Sequence, residues 1–404
     1  MGKVVVASAQ LQFQLFDAPE DYRKELERFL YMARAKRAEL VVLPALSGVM
    51  CGAPLMSGLR VSLLKQAEQR RNGRPGIWRR TKSVLAGGAA SVLGARFRTE
   101  YAQLLRLAGA EVASQYETVF AGLARTYEVT LVAGSALLPD STGTIRHHSA
   151  VFGPDGTVLG GHDKIIMAAE DDGISSAGSD WTVVPTSFGR LGLMFGEEAL
   201  FPESGRILAF RGAEILVTVA AVTSEALAAS IRQAVIARTE DNQLFGLGSF
   251  LVGKNHLSPI DGGAGTFTGK SGIYAPLELT PRHSGILVEM GTTISEGLVT
   301  AQLDLDVLHE LWASGVGRVR SSMPSALFAR YLPGLYGAGK SLADVWPGDT
   351  IADSPDAGQL DSGHSPEGVP AGDVRQVTHE VSVGSEIAAN PVAGDLATME
   401  NDAE

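Results

Sequence analysis

The sequence is short of three things, and each shortage narrows what the protein can be. Its 404 residues hold a single cysteine, Cys51. No disulfide can form within the chain, which fits a reducing compartment, so a cytoplasmic location is expected. No apolar run approaches the roughly 20 residues of a membrane span. The opening MGKVVVASAQLQFQ is too polar after its VVV run to be the apolar core of a signal peptide. An excess of positive charge is also missing. The net charge is −11, and residues 340–404 carry thirteen acids against two bases. The whole excess therefore sits at the C-terminal end, the remainder is near neutral, and a nucleic-acid partner is not indicated.

What is present is ordinary globular material, 45% hydrophobic and 20% charged. Strand and helix signals alternate through residues 1–335. VVVASAQL reads as a strand, and APEDYRKELERFLYMARAKR as a helix with apolar residues at helical spacing. ELVVLPAL, VTLVAGSALL, Arg190 to Met194, AEILVTVAA and FGLGSFLVG read as strands, while TVFAGLARTYE and LAASIRQAVIARTEDN read as helices. HHSAVFGPDGTVLGGHDKI is a β-hairpin turned by Pro154-Asp155-Gly156. A helix from Glu203 to Arg211 starts behind Pro202. GKSGIYAP, HSGILVEM and GLVTAQLDL form a closing meander. This order predicts layered sheets covered by helices.

Two segments depart from the rhythm. Residues 52–115 hold no clean strand and read as an insertion, and within it residues 65–82 carry seven bases against one acid. A solvated insertion packing over the body is the plain reading of this strip; a protein partner or a membrane surface are the others, with membrane binding unlikely. Residues 336–404 are acidic, rich in Gly, Ser, Pro and Ala, and poor in aromatics. Such a tail buries too little apolar surface to offset its ordering entropy, so disorder is expected.

LGLMFGEEALFPE, residues 191–203, has the outline of a strand end, a sharp turn and a helix start. Enzymes often mount a nucleophile on such a turn. This one offers Gly196, Glu197 and Glu198. The question is what the turn serves when no side chain on it can attack.

Seven blocks in order resemble the nitrilase, or carbon–nitrogen hydrolase, superfamily: VVVASAQ, AELVVLPAL, DGTVLGGHDKI, FPESGRILAFRGAEIL, IARTEDNQ, TFTGKSGIYAP and LVTAQLDLDVL. The resemblance spans about residues 3–325, interrupted by the insertion. It implies an α/β fold, a four-layer αββα sandwich, that often pairs into dimers. It also implies a Glu–Lys–Cys triad in which a thiolate attacks an amide or nitrile carbon, the glutamate moves protons and the lysine stabilises the developing anion. Carried over residue by residue, the lysine is Lys164. The glutamate position is Ala45 and the cysteine position is Gly196. A second family glutamate would fall near Leu138.

Each remaining candidate has a plain structural alternative. Lys164 is the retained triad lysine, and the alternatives are a ligand-binding amine or a structural ion pair with Glu197 or Glu198. Glu197 and Glu198 are ligand-binding candidates, with Glu198 equally suited to holding backbone. Cys51 lies in the loop after the Ala45 strand with no base beside it and reads as inert. Glu203 with Arg206, and Arg238 with Asp241, read as local ion pairs. His147 and His148 are strand neighbours facing opposite sides, so they cannot chelate one metal as a pair. Neither a metal nor a cofactor is expected. DGGAGTFTG, residues 261–269, reads as a loop. Three functions stay open: a catalytically degenerate member that binds a small amide-, carboxylate- or carbonyl-type ligand or joins an active relative in a hetero-oligomer; an enzyme of altered chemistry using Lys164 with Glu197 and Glu198; and a scaffold. A homo-dimer or higher oligomer is expected from the resemblance.

Overall fold

The computed structural model describes residues 2–16, 18–52, 54–55, 97–168, 171, 173–257, 265–314, 319–320 and 322–337. The basic strip 65–82 and the tail beyond residue 337 lie outside the described residues.

The architecture follows from the side-chain alternation of its strands. β1 (Lys3–Gln12), β2 (Leu40–Val42), β3 (Thr130–Val132), β4 (Ala136–Pro139), β5 (Ile145–Phe152) and β6 (Val158–Asp163) make one half of the sheet, joined at an edge by β14 (Gly297–Asp304). β7 (Val183–Pro185), β8 (Arg190–Phe195), β9 (Ile215–Ala220), β10 (Phe245–Lys254), β11 (Thr266–Phe267), β12 (Gly272–Tyr274) and β13 (Ile286–Glu289) make the other half. The halves meet where β1 pairs with β10 in parallel, Leu11 opposite Leu251 and Gln12 opposite Val252. Because successive strand residues point to opposite faces, each strand feeds two cores. Val4, Val6, Leu40, Val42 and Val132 from the first half pack with Leu191, Leu193, Phe195, Ile215, Val217 and Val219 from the second. This is the seam between the two sheet layers.

The outer faces are covered by helices. Ala7, Ala9, Val41 and Leu131 meet α1 (Pro19–Ala35) through Tyr22, Leu26, Phe29 and Leu30, and α2 (Phe97–Tyr127) through Tyr116, Phe120 and Leu123. Met194, Leu216 and Ala220 meet α3 (Pro202–Phe210) through Leu208 and α4 (Glu225–Asn242) through Ile231 and Val235. The result is the expected αββα sandwich. A short helix, α5 (Leu305–Ser314), follows β14 and adds Leu305 and Leu308 to the seam. Residues 1–324 form one compact unit, and a second begins at Ser325. Its described part is α6 (Ser325–Gly337), with Leu327, Phe328, Tyr331, Leu332, Leu335 and Tyr336 exposed.

Three details differ from the sequence expectation. α2 starts at Phe97, inside the stretch taken as insertion, and bends at Ala108. VTLVAGSALL is two strands, not one. A Cβ at Gly134 would lie 1.4 Å from Ser47 Oγ and 2.5 Å from the Pro44 carbonyl, so the chain there passes against the loop after β2 and leaves the ladder. Thr266–Phe267, expected within a loop, pair with the end of β10 as β11.

Candidate active site

β2, β1, β10, β9 and β8 run parallel. Ligand sites in α/β sheets favour the carboxyl ends of such strands. Ala45 follows β2 by three residues, Lys164 follows β6 directly and Gly196 follows β8 directly. All three line one cavity of about 130 Å³. Its polar side includes His147, Lys164, Asp171 and Glu197; Leu46, Leu137, Val219, Leu227, Leu257 and Phe267 are among its apolar walls.

Lys164 is 4% exposed. A buried ammonium needs counter-charge. It has two: Asp171 Oδ2 at 2.8 Å and Glu197 Oε2 at 3.3 Å. Burial alone would lower the lysine's pKa, but the charges of Glu197 and Asp171 outweigh it and hold the pKa above the ordinary lysine value. Burial likewise opposes ionisation of Asp171, yet the approach of His147 and the Lys164 charge leave its carboxyl well below the usual range. The Ala168 amide also donates to Asp171 Oδ2, at 2.8 Å. Of the lysine's two partners, Glu197 was anticipated. Asp171 was not, because it lies in a loop without periodicity and outside every block of the family resemblance.

Glu198 serves another purpose. It is fully buried and is not among the residues lining the cavity. One oxygen accepts from the amides of Ile165 and Ile166 at 2.7 and 3.2 Å, and the other from the Phe195 amide at 2.7 Å and His162 Nε2 at 3.0 Å. The carboxylate therefore clamps the turn after β8 to the segment that carries Lys164. Its oxygens are occupied, and of the two adjacent glutamates only Glu197 lines the cavity.

The turn itself is closed as well as bare. A Cβ on Gly196 would come 3.0 Å from Ala220 Cβ and 3.1 Å from Ile231 Cδ1, neither of them a cavity-lining residue. Cys51 is fully buried in the core beneath α1 and α2 and does not line the cavity. Burial pushes its thiol pKa far up, which leaves it protonated and unreactive.

A hydrogen-bond chain runs beside the cavity. The Leu46 amide donates to Ser135 Oγ at 2.8 Å, and that hydroxyl lies 2.7 Å from His147 Nε2. Ser135 Oγ and His147 Nε2 share one hydrogen bond, and the other ring nitrogen, Nδ1, lies 3.5 Å from Asp171 Oδ1. At that distance Nδ1 makes no full hydrogen bond. Burial is the main reason His147 titrates below the ordinary histidine value, so the ring is neutral near pH 7. Ser–His–Asp is the order of a hydrolase triad. Ser135, however, is fully buried and does not line the cavity, so it presents no nucleophile there. His148, on the opposite face of β5, pairs with Asp163 at 2.6 Å. Arg238 and Asp241 form the expected local pair at 2.7 Å. Among the described residues, no cluster of three or more His, Cys, Asp or Glu is placed to hold a metal ion.

The fold and site define an αββα protein with a buried amine at the carboxyl ends of its parallel strands. The carbon–nitrogen hydrolase family model matches residues 5–311, and the chain belongs to that family. A probable hydrolase of Bacillus subtilis, YhcX, is 29% identical over 210 residues, covering 52% of this chain and 40% of that protein. A probable nitrilase of Schizosaccharomyces pombe, C965.09, is 32% identical over 96 residues, covering 24% of this chain and 35% of its own length. The aligned part thus spans well under half of either curated relative. Solved structures share the fold at low identity. Nit3 of Saccharomyces cerevisiae, a nitrilase-superfamily member, aligns with TM-score 0.53 at 18% identity over 78% of this chain and 94% of its own. A glutamate-to-glutamine mutant of an amidase from Nesterenkonia sp. AN1, which shows covalent addition of the acetamide moiety of fluoroacetamide at its active-site cysteine, aligns with TM-score 0.55 at 17% identity over 81% of this chain and 96% of its own. No described helix is long and apolar enough to cross a membrane.

Proposed function

We propose that this chain is a member of the carbon–nitrogen hydrolase family that holds a small amide- or carbonyl-type ligand without acylating itself. One observation carries the reading. The positions matching the family's glutamate, lysine and cysteine line one cavity, and they are occupied by Ala45, Lys164 and Gly196. A thioester needs a sulfur, and the chain's only sulfhydryl is sealed in the core. Loss of the nucleophile lowers turnover in a covalent serine hydrolase by about 10⁶, or roughly 8 kcal/mol of barrier. Ala45 removes the proton acceptor as well. A carboxylate ligand is less suited than an amide, because two carboxylates already face the lysine. Pairing with a second copy or an active relative belongs to the same proposal, and exposed Phe201, Ile207 and Phe210 around α3 offer an apolar surface for it. The cytoplasm, where a lone thiol stays reduced, is the proposed location.

The test is mass spectrometry of the protein after exposure to amides, nitriles and fluoroacetamide, with turnover measured against a Lys164→Ala control. We expect no covalent adduct and no hydrolysis above the control. An acyl group on any cavity residue overturns the proposal. Ala45→Glu with Gly196→Cys asks whether the ancestral geometry survives. Since a Cβ at 196 meets Ala220 and Ile231, that double variant should be less stable than Ala45→Glu alone.

A second reading, altered hydrolytic chemistry, rests on Glu197: it lines the cavity 3.3 Å from Lys164 Nζ, with its side chain 22% exposed. In that reading Glu197 takes a proton from water and Lys164 polarises a carbonyl. Unchanged activity in Glu197→Gln, across a panel of amides, removes it.

A further inference from the structure

The buried polar groups around the cavity divide into matched and unmatched. Lys164 Nζ has Asp171 and Glu197, and Asp171 Oδ2 has Lys164 and the Ala168 amide. Ser224 Oγ accepts from the Leu227 amide, and Asn255 Oδ1 from the Leu257 amide. Among the described residues lining the cavity, two buried side-chain atoms have no hydrogen-bond partner in the protein: His147 Nδ1 and Ser175 Oγ. The histidine is 5% exposed, so its free nitrogen has no access to bulk solvent. A buried polar atom left unmatched costs about 1–3 kcal/mol. Two of them on one cavity call for a guest that bonds to both.

Both groups are held in place by the fold. His147 is tied at its other nitrogen, Nε2, to Ser135 Oγ at 2.7 Å, and its ring packs against Phe195 with centroids 4.6 Å apart. Ser175 lies in the loop after Asp171. The amides of Ile174 and Ser175 donate to the Asp171 carbonyl at 3.1 and 3.2 Å, and the Ser176 amide donates to the Ile145 carbonyl at 2.9 Å. That last bond fastens the loop to β5 two residues before His147. Rigid placement of this kind reduces the entropy lost on binding. A ring nitrogen donates or accepts according to where the proton sits, and a serine hydroxyl does both. A guest group that also does both matches the pair with the imidazole proton on either nitrogen. Burial keeps the ring neutral near pH 7, so the pair asks for no charge on the guest.

Resting on the reading of this cavity as a ligand site, we propose that His147 Nδ1 and Ser175 Oγ are its recognition point. They take a neutral head group that both donates and accepts, a hydroxyl or a primary carboxamide, on a short apolar tail. The head bonds to this pair rather than to the ammonium of Lys164, which already has two carboxylates. The tail lies against Leu137, Val219, Leu227 and Phe267. The cavity, about 130 Å³, is close in volume to one of about 150 Å³ that accommodates benzene, and this bounds the size of the guest.

The experiment titrates n-butanol, butyramide and n-butyl chloride into the full chain at pH 7 by ligand-observed NMR. The chloride has the tail without a head that donates. Wild type is compared with Ser175→Ala and with His147→Gln, in which the glutamine keeps a group for Ser135 and leaves none at Nδ1. We expect each variant to weaken n-butanol, butyramide or both by about three- to tenfold, the worth of one net hydrogen bond, and to leave n-butyl chloride within about twofold. The probe that responds tells a hydroxyl from a carboxamide. Added salt should leave its affinity unchanged, because the head is neutral. In isotope-labelled wild type the His147 Nδ1 resonance should shift when that probe is added. Without a guest, Ser175→Ala should unfold at the same urea concentration as wild type or a higher one, since it deletes an unmatched hydroxyl; circular dichroism checks that both variants are folded. A lower urea midpoint in Ser175→Ala shows that Oγ already has a partner and overturns the inference. So do unchanged affinities for both polar probes in either variant, equal loss of all three probes, or binding of n-butyl chloride alone, each of which leaves the ligand site standing. Failure of all three to bind wild type overturns both.

Discussion

Lys164 sits in the cavity as the centre of a three-charge group, and its neighbours depend on it. Replacing it with Met leaves Asp171, 8% exposed, beside a second carboxylate with no cation. Breaking a buried ion pair from one side costs about 3–5 kcal/mol. Because Glu197 is partly open to solvent, the lower end of that range is expected, read as a fall in the urea midpoint at constant slope. Gly196 makes the opposite demand. Gly196→Ala places a methyl group 3.0 Å from Ala220 Cβ, and overpacking of this kind costs about 1–3 kcal/mol. The loss should be smaller in Gly196→Ala with Ile231→Val, which frees one of the two contacts. At this scale the sequence pointed to Ala45, Lys164, Gly196 and Glu197, each at or beside a position in a motif, and all four line the cavity. Asp171 was not. Its partners are Lys164, directly after β6, His147 on β5 and the Ala168 amide, and no local spacing announces the contacts with Lys164 and His147.

Segments of chain take their positions from single polar side chains as much as from hydrophobic faces. Glu198 joins the turn after β8 to the segment after β6 through three amides and His162. Glu198→Ala strands those donors in the interior, so a loss of about 3 kcal/mol or more is expected. It should also loosen the Lys164 segment, visible as faster amide exchange at Ile165 and Ile166. The strand and helix order was legible because the periods of two and 3.6 are strong in this sequence. Legibility failed where a contact overrode the pattern. VTLVAGSALL has the look of a single strand, but Gly134 is pressed against Ser47 and Pro44, and Ser135 turns away toward His147. The first part of α2 was missed because its apolar residues run on from a low-complexity stretch without a capping signal to mark Phe97.

For the whole molecule, the same ionisable groups set how stability varies with pH. His147 titrates lower in the fold than in the unfolded chain, so its contribution is complete above about 6.5 and is lost as pH falls through that value. His256, lowered by burial and by Lys254, adds to the slope with the same sign. Asp171, also depressed, contributes above about 3.9 and loses that contribution below it. Lys164, raised, contributes below about 10.4 and loses it as pH climbs through its folded value. Melting temperature should therefore decline from pH 7 toward pH 5 and again at strongly alkaline pH. His147→Gln should flatten the acid-side decline between pH 7 and 5 without abolishing it. The layered sandwich was foreseeable from the alternation of elements. The convergence of Ala45, Lys164 and Gly196 on one cavity was implied by the family resemblance alone, since no local period in the sequence announces the pairing of β1 with β10.

The run from Leu46 through Ser135 and His147 to Asp171 and Lys164 has a further consequence. Leu46 holds a left-handed backbone conformation, φ 60°, uncommon for a branched residue, and its amide is tied to Ser135 Oγ. A guest that draws on Asp171 or His147 changes the field at the imidazole and the polarisation of the two bonds from it to the Leu46 amide. The Leu46 amide proton thus becomes an internal reporter: its chemical shift and solvent-exchange rate should move when the cavity fills, allowing occupancy to be followed without reference to turnover.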